Sequence, residues 1–281
     1  MSPTGEQTTL ARPVSKDGVG LHTGQKCALT ILPAPPNAGI VFVSPAGDEI
    51  PATVEHVLDT DRGTTLGTAQ TRVRSVEHLM AALYGMGVDN ARIELEGPEA
   101  PACDGSAIEW VRLVQRAGRA GLGVTRQAPA LAQPVWVDAQ PGWAVVLPAR
   151  GALSLAVAVD FSGTVVGKQT LFLRLTRARF IRELAPARTF VDLKDLDELR
   201  ARGLAQGGAS ENAFAFGPQG YSGPLRFPDE VVRHKALDLL GDLALCGCRF
   251  AGQVVAVRPG HRLNLALAAA LRKELLAHAQ A

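Results

Sequence analysis

Three residues with ionisable or metal-ligating side chains, His234, Asp238 and Asp242, stand four apart in FPDEVVRHKALDLLGDLALCGC (227–248). If that stretch is one helix, its 3.6-residue turn stacks them along one stripe that drifts about 40° per step. Pro228 suits a first helical turn, and Asp229 and Glu230 favour the positive end of the dipole. Only Gly241 interrupts the run to Leu245. Val232, Ala236, Leu239, Leu240 and Leu243 make a second, apolar stripe for a core. The polar stripe taken alone reads as a solvated surface carrying an ion pair. Leu237, Gly241 and Leu245 border it, however, where a wetted face would carry Lys or Glu. A His-x-x-x-Asp pair is too common to specify a metal, so a ligand site here needs a third group from elsewhere.

A candidate lies in SVEHLMAALYGMG (75–87). Ser75 has the chemistry of an N-cap and Gly85 that of a stop, which puts Glu77 and His78 in the first turn of a helix. The chain repeats itself loosely around these two helices. Each half has strands first, then a helix with a His near its start, a strand ending near Gly, and a closing helix. His78 is followed 27 residues later by Gly105-Ser106, and His234 is followed 26 residues later by Gly260-His261. Two similar units packed together would bring both histidines to one cleft. Two histidines and a carboxylate with an open fourth position form the ligand set of a catalytic zinc hydrolase. Such a site also needs a base, an oxyanion donor and an acid. Glu77 adjoins His78 as the glutamate of HExxH adjoins its ligand. His261, in an Arg-Pro-Gly-His turn, reads alone as a surface histidine at a helix start, and the repeat favours a functional role.

The elements that would hold these groups read as α+β. Strands are expected within 8–74 (CALTIL, 27–32; IVFV, 40–43), then at 91–97, in PVWVD, WAVVLP, LSLAVAVDF and QTLFLRL, and at 212–216 and 253–258. Helices are expected from Ser75, after Gly105 to Gly118, at 176–184, 192–202, along the 227–248 run, and from His261 to about Ala279. QAPALAQP (127–134) reads as a linker, giving a first domain at 1–126 and a second at 135–281. GVGLHTG (18–24) has the glycines of a phosphate loop but not the Lys-Ser/Thr ending or the following helix. It is expected to be a tight turn, with His22 structural or facing substrate.

Composition narrows the partners. A formal net charge of +2 over 281 residues gives no reason to expect nucleic acid or a membrane surface. The most apolar stretch, 143–161, is broken by Pro148, Arg150 and Gly151, so no membrane insertion is expected. The N-terminus carries no apolar signal core. Cys27, Cys103, Cys246 and Cys248 form no CxxC pair and suit buried thiols in a reducing cytoplasm. A cytoplasmic monomer is the expectation.

Eight segments, taken in order, resemble one family. They are GVGLHTG (18–24), LPAPPNAGIVF (32–42), VEHLMAALYGMGVDNARIE (76–94), GPEAPACDGSA (97–107), ARTF (187–190), RGLAQGG (202–208), DEVVRHKALDLLGDL (229–243) and GHRLN (260–264). They are similar to the UDP-3-O-acyl-N-acetylglucosamine deacetylases of lipid A biosynthesis, across residues 18 to about 271. The resemblance implies two α+β domains, each a sheet with a helix pair, the helices sandwiched between the sheets. It implies one zinc ion bound by His78, His234 and Asp238, with Glu77 as general base on the attacking water. His261, oriented by Asp242, would stabilise the oxyanion and protonate the departing amine, and Thr189 would hydrogen-bond the tetrahedral intermediate. The implied partner is an acylated UDP-N-acetylglucosamine, its diphosphate met by Lys235 and its sugar by Phe190. Other readings are the same chemistry on a different amino-sugar nucleotide, or a silent sugar-nucleotide-binding protein. Retention of all six acid, base and ligand residues speaks against the last. The chain departs from the family pattern at Arg62-Gly63, Val191-Asp192 and Gly142, positions tied to the acyl passage and phosphate contacts.

Overall fold

Alternating burial along Lys26–Pro33 and Ser154–Phe161 marks strands with one face in a core and one outside. In the computed structural model, which describes residues 4–126 and 129–279, they belong to two five-stranded sheets. The first runs, in spatial order, Val14–Val19, Lys26–Pro33, Ala91–Glu96, Ile40–Val43 and Glu49–Pro51. The second runs Val135–Ala139, Gly142–Leu147, Gln253–Val257, Ser154–Phe161 and Gly167–Arg174. In each, the strand that arrives last in the chain takes the central place. It pairs parallel with one neighbour and antiparallel with the other, and every other pairing is antiparallel. The loose repeat of the sequence is thus a repeat of strand order.

Among the described residues six α-helices accompany the sheets: α1 (Glu77–Met86), α2 (Ile108–Ala117), α3 (Arg177–Arg179), α4 (Leu193–Ala201), α5 (Glu230–Ala244) and α6 (His261–Ala279). α3 runs directly into a π turn at Phe180–Leu184. α1 packs on α5, with α2 against α1 and α6 against α5. α2 meets the first sheet at Val14–Val19, and α5 and α6 cover the second, so the helix layer lies between the sheets. This is the mixed α+β architecture expected.

α5 is buried on every side, not along one stripe. Val232, Leu239, Leu240 and Leu243 each gain about 1.5–3 kcal/mol from burial, which offsets the cost of enclosing the polar stripe. Gly241 lets the helices touch: a Cβ there would sit 2.1 Å from the Glu77 carbonyl oxygen. That contact carries the first turn of α1 onto the polar stripe of α5.

Several local expectations are corrected. Ser75 does not cap α1. Its φ is +58° and its hydroxyl donates to Glu99 Oε1 at 2.7 Å, while the helix starts at Glu77 without a side-chain cap. α1 ends past Gly85, at Gly87 with φ 81°. Gly85 is instead where the Phe180 ring packs, 2.4 Å from a would-be Cβ. Arg119–Thr125, left without an element in the sequence reading, pairs antiparallel with Glu6–Leu10. Of the expected linker, Gln127 and Ala128 lie outside the described residues, and Leu131 is buried with the core. Residues 1–3, 280 and 281 of the expected domains are likewise outside.

Two small sheets stand beside the helix layer. One is Val57–Asp59, Thr65–Gly67 and Arg72–Val73, and the other Thr189–Asp192, Ala213–Gly217 and Gly220–Tyr221, followed by or packed with α4. All four cysteines are free thiols. No helix among the described residues is long and apolar enough to cross a membrane.

Candidate active site

His234 and Asp238 lie one turn apart on α5, each only 2% exposed. His78 reaches them from the first turn of α1. The three offer ligand atoms within 4.8 Å of one another. His78 Nε2 and His234 Nε2 are 3.4 and 3.3 Å from Asp238 Oδ1, both long for hydrogen bonds. Asp238 Oδ1 is buried and has no hydrogen-bond partner among the described residues. An orphaned buried carboxylate oxygen is costly, and a cation would satisfy it. His234 Nδ1 donates to the Ala187 carbonyl at 3.1 Å, which fixes the tautomer that turns the Nε2 lone pair toward the cluster. Asp238 Oδ2 accepts from Lys235 Nζ at 3.1 Å.

Protonation suits ligation. Burial pushes His234 down to about 4, so its imidazole is neutral at physiological pH. Burial would raise Asp238, but His234, Lys235 and His78 outweigh it and hold the carboxyl well below its usual range. At His78 burial is overcome by Asp238 and Glu77, which raise its pKa. A bound cation would take the place of that proton. Two imidazole nitrogens and one carboxylate oxygen suit zinc, and the set fits a three-ligand catalytic site.

Glu77 and His261 flank this cluster. Glu77 is buried, and its Oε2 accepts from the Thr64 amide at 2.9 Å. His261 opens α6 and its Nδ1 lies 2.8 Å from Asp242 Oδ2. Asp242 is 0% exposed and also accepts from Thr64 Oγ1 at 2.6 Å and Asn264 Nδ2 at 2.8 Å. Burial would lower His261, but Asp242 first, then Glu77 and Asp238, raise it to about 9. His261 is therefore a cation near neutral pH.

A cavity of about 430 Å³ joins these groups. Glu77, His78, His234, Asp238 and His261 line it, with Asp242 behind His261. Thr189, Phe190 and Lys235 form one wall. The Phe190 ring meets His234 edge-on at 5.7 Å, and Lys235 Nζ lies 5.3 Å from the Phe190 centroid. Arg62, Asp192 and Asp195 form another part of the lining. Arg62 pairs with Asp195 at 3.1 Å, whereas Asp192 caps α4 and pairs with Lys194 at 3.0 Å. His22 stands outside the lining. Its backbone amide donates to Glu99, and its Nε2 is 3.2 Å from the Arg62 carbonyl. Gly142 has a steric basis, since a Cβ there would lie 2.4 Å from the Arg258 carbonyl oxygen.

Thr64 and Asn264 escaped the sequence reading. Asn264 had a signal: it is three residues after His261 at a helix start, hence on the same face. Thr64 had none, being 178 residues from the carboxylate it bonds. With an activated water, Glu77 could take its proton, His261 could meet the developing oxyanion and supply the leaving group's proton, and the outcome is amide hydrolysis.

Comparisons with known proteins point the same way. Residues 7–273 match the family described as UDP-3-O-acyl N-acetylglycosamine deacetylase. A protein of Anaeromyxobacter dehalogenans named UDP-3-O-acyl-N-acetylglucosamine deacetylase is 44% identical over 97% of this chain and 89% of its own. Proteins of the same name from Myxococcus xanthus and a Nostoc species are 43% and 41% identical, over 92% and 94% of this chain and 83% and 97% of theirs. The arrangement above therefore sits in a metalloenzyme fold, and the chain belongs to the UDP-3-O-acyl N-acetylglycosamine deacetylase family.

Proposed function

We propose that this protein hydrolyses the N-acetyl group of a UDP-3-O-acyl-N-acetylglucosamine, releasing acetate, in lipid A biosynthesis. One zinc ion is held by His78, His234 and Asp238. The observation that carries the reading is the orphaned Asp238 Oδ1 facing two imidazoles, with Glu77 and the Asp242-backed His261 opening on the same cavity. The names of the curated relatives supply the substrate class.

Zinc at these ligands supplies Lewis-acid activation of water and of the amide carbonyl. Glu77 accepts the proton of the attacking water, its carboxylate held in place by the Thr64 amide. His261, cationic at neutral pH, faces the developing oxyanion and hands its proton to the departing amine. Asp242 holds the imidazole by Nδ1, leaving Nε2 for that transfer. The Thr189 hydroxyl adds a donor for the tetrahedral intermediate. Lys235 and Phe190, side by side on the cavity wall, meet diphosphate and sugar. His22 acts through the turn it anchors. The site is complete within one chain, which supports a monomer, and four free thiols support the cytoplasm.

Acetate release from synthetic UDP-3-O-acyl-N-acetylglucosamine, measured beside zinc content, tests the reading. Stoichiometric zinc and acetate release are expected. A zinc-loaded, folded protein that releases no acetate across a panel of acyl chains would overturn it.

A further inference from the structure

Thr64 touches Glu77 and the Asp242 that holds His261 through different atoms. Its amide donates to Glu77 Oε2 at 2.9 Å, its hydroxyl donates to Asp242 Oδ1 at 2.6 Å, and its carbonyl accepts from the Val76 amide at 3.3 Å. All its polar groups are thus engaged with α1 or with the Asp242–His261 pair, where the hydroxyl's 2.6 Å bond to Asp242 is far shorter than its 3.4 Å approach to His261 Nδ1, itself held by Asp242 Oδ2 at 2.8 Å. The residue is 0% exposed and does not line the cavity. Asp242 Oδ2 is shared by His261 Nδ1 and Asn264 Nδ2, which leaves Oδ1 to the Thr64 hydroxyl. Gly63, just before it, leaves room for the base, since a Cβ there would lie 3.2 Å from Glu77 Oε1.

We infer that Thr64 is a positioning residue that couples the two acid–base groups: its amide seats the Glu77 carboxylate, and its hydroxyl moderates the hold of Asp242 on His261. The inference rests on the deacetylase reading for its roles and on the hydrogen bonds for its geometry. A hydroxyl donating to a buried carboxylate disperses its charge. Without that donor the negative charge of Asp242 is left to the imidazolium, which it holds more tightly. The other charged groups facing His261 are Asp238 from α5 and Glu77 and His78 from α1, and none of them bonds the Thr64 hydroxyl.

The test compares Thr64→Val, Thr64→Ala and Thr64→Ser in the full-length zinc-loaded enzyme. Thr64→Val should lower kcat about 10- to 100-fold, the worth of one hydrogen bond to a charged group, with KM unchanged. Its alkaline limb should move upward, opposite to the downward shift expected when Asp242→Asn removes the carboxylate charge. Thr64→Ala should behave likewise, which covers the case where valine fails to fold, and Thr64→Ser should restore the wild-type profile. The His261 titration, followed by imidazole NMR in metal-free protein, should rise in the valine or alanine variant. An unmoved titration and limb, or a serine variant as slow as valine, would overturn the inference. Absence of acetate release by the wild type would instead overturn the deacetylase reading, and the NMR titration would still decide the hydrogen-bond claim.

Discussion

α1 and α5 occupy matching places in the two repeats and touch at Gly241, yet they divide the chemistry differently. On α1 the two functional groups, Glu77 and His78, are adjacent, so their side chains leave the helix about 100° apart. One turns to Thr64 and the other to the α5 ligands. On α5 the groups are spaced by four, so they share a stripe but lie at different depths, about 6 Å per step. His234 and Asp238 reach the proposed metal position beside His78, and Asp242, one turn deeper, reaches His261 instead. The closing turns differ too. In the first repeat Ser106 bonds Asp104 and the Ile108 amide, a structural use. In the second the matching place holds His261. On the proposed reading, one fold used twice gives its first copy the base and its second the acid.

The largest break in that division should come from α5. Asp238→Ala removes the only carboxylate among the three ligands, and we expect zinc to be lost and turnover to fall to background. Metal analysis after zinc supplementation checks this; a full equivalent retained would move the ligand assignment elsewhere. On α1 the loss should be one of chemistry alone. Glu77→Ala should keep its zinc and lose about 10²–10⁴-fold in kcat, the usual worth of a general base. A near-native rate would place the base elsewhere.

Asp242→Asn should shift a pH limb more than it lowers the peak rate. His261 has a folded pKa raised to about 9, so its cation prevails below that value and is lost as pH rises through it. Burial opposes the cation, and without the Asp242 charge burial gains ground, so the alkaline limb should move down. The same sign holds for stability. The pair's contribution is fully present below the unfolded histidine value of about 6.5 and lost as pH rises through about 9. A rate profile with an unshifted limb would show that the two are not partners.

How much of this was legible follows from distance along the chain. The α5 stripe could be read because one helix places all three groups, and the apolar border of Leu237, Gly241 and Leu245 betrayed its burial. His78 and His261 followed from the repeat, which the strand order bears out. Ser75 misled because a local capping rule lost to a tertiary partner, Glu99. Arg119–Thr125, with Gly121 and Gly123, has the composition of a loop and becomes a strand only against Glu6–Leu10. Thr64 acts through contacts 13 and 178 residues away, which no period reveals.

The smallest expected effect concerns the cavity wall, where each repeat's insert supplies a charge. A greasy passage rewards each methylene by about 0.8 kcal/mol, roughly fourfold in affinity. Arg62 and Asp192 both line this cavity, but they do not pair with each other. Arg62 is neutralised by Asp195 and Asp192 by Lys194, so both charges can stay at the wall without turning away to water. A wall so built should favour shorter or hydroxylated acyl chains. Arg62→Leu with Asp192→Phe should shift preference severalfold toward longer ones. Asp192 also caps α4, and losing a cap costs about 1 kcal/mol, so Asp192→Asn, which keeps a capping oxygen and drops the charge, separates the two effects. If kcat/KM in the unmodified protein climbed by a constant factor per methylene to about fourteen carbons, and the double variant left that slope unchanged, the paired charges would have no part in reading the chain.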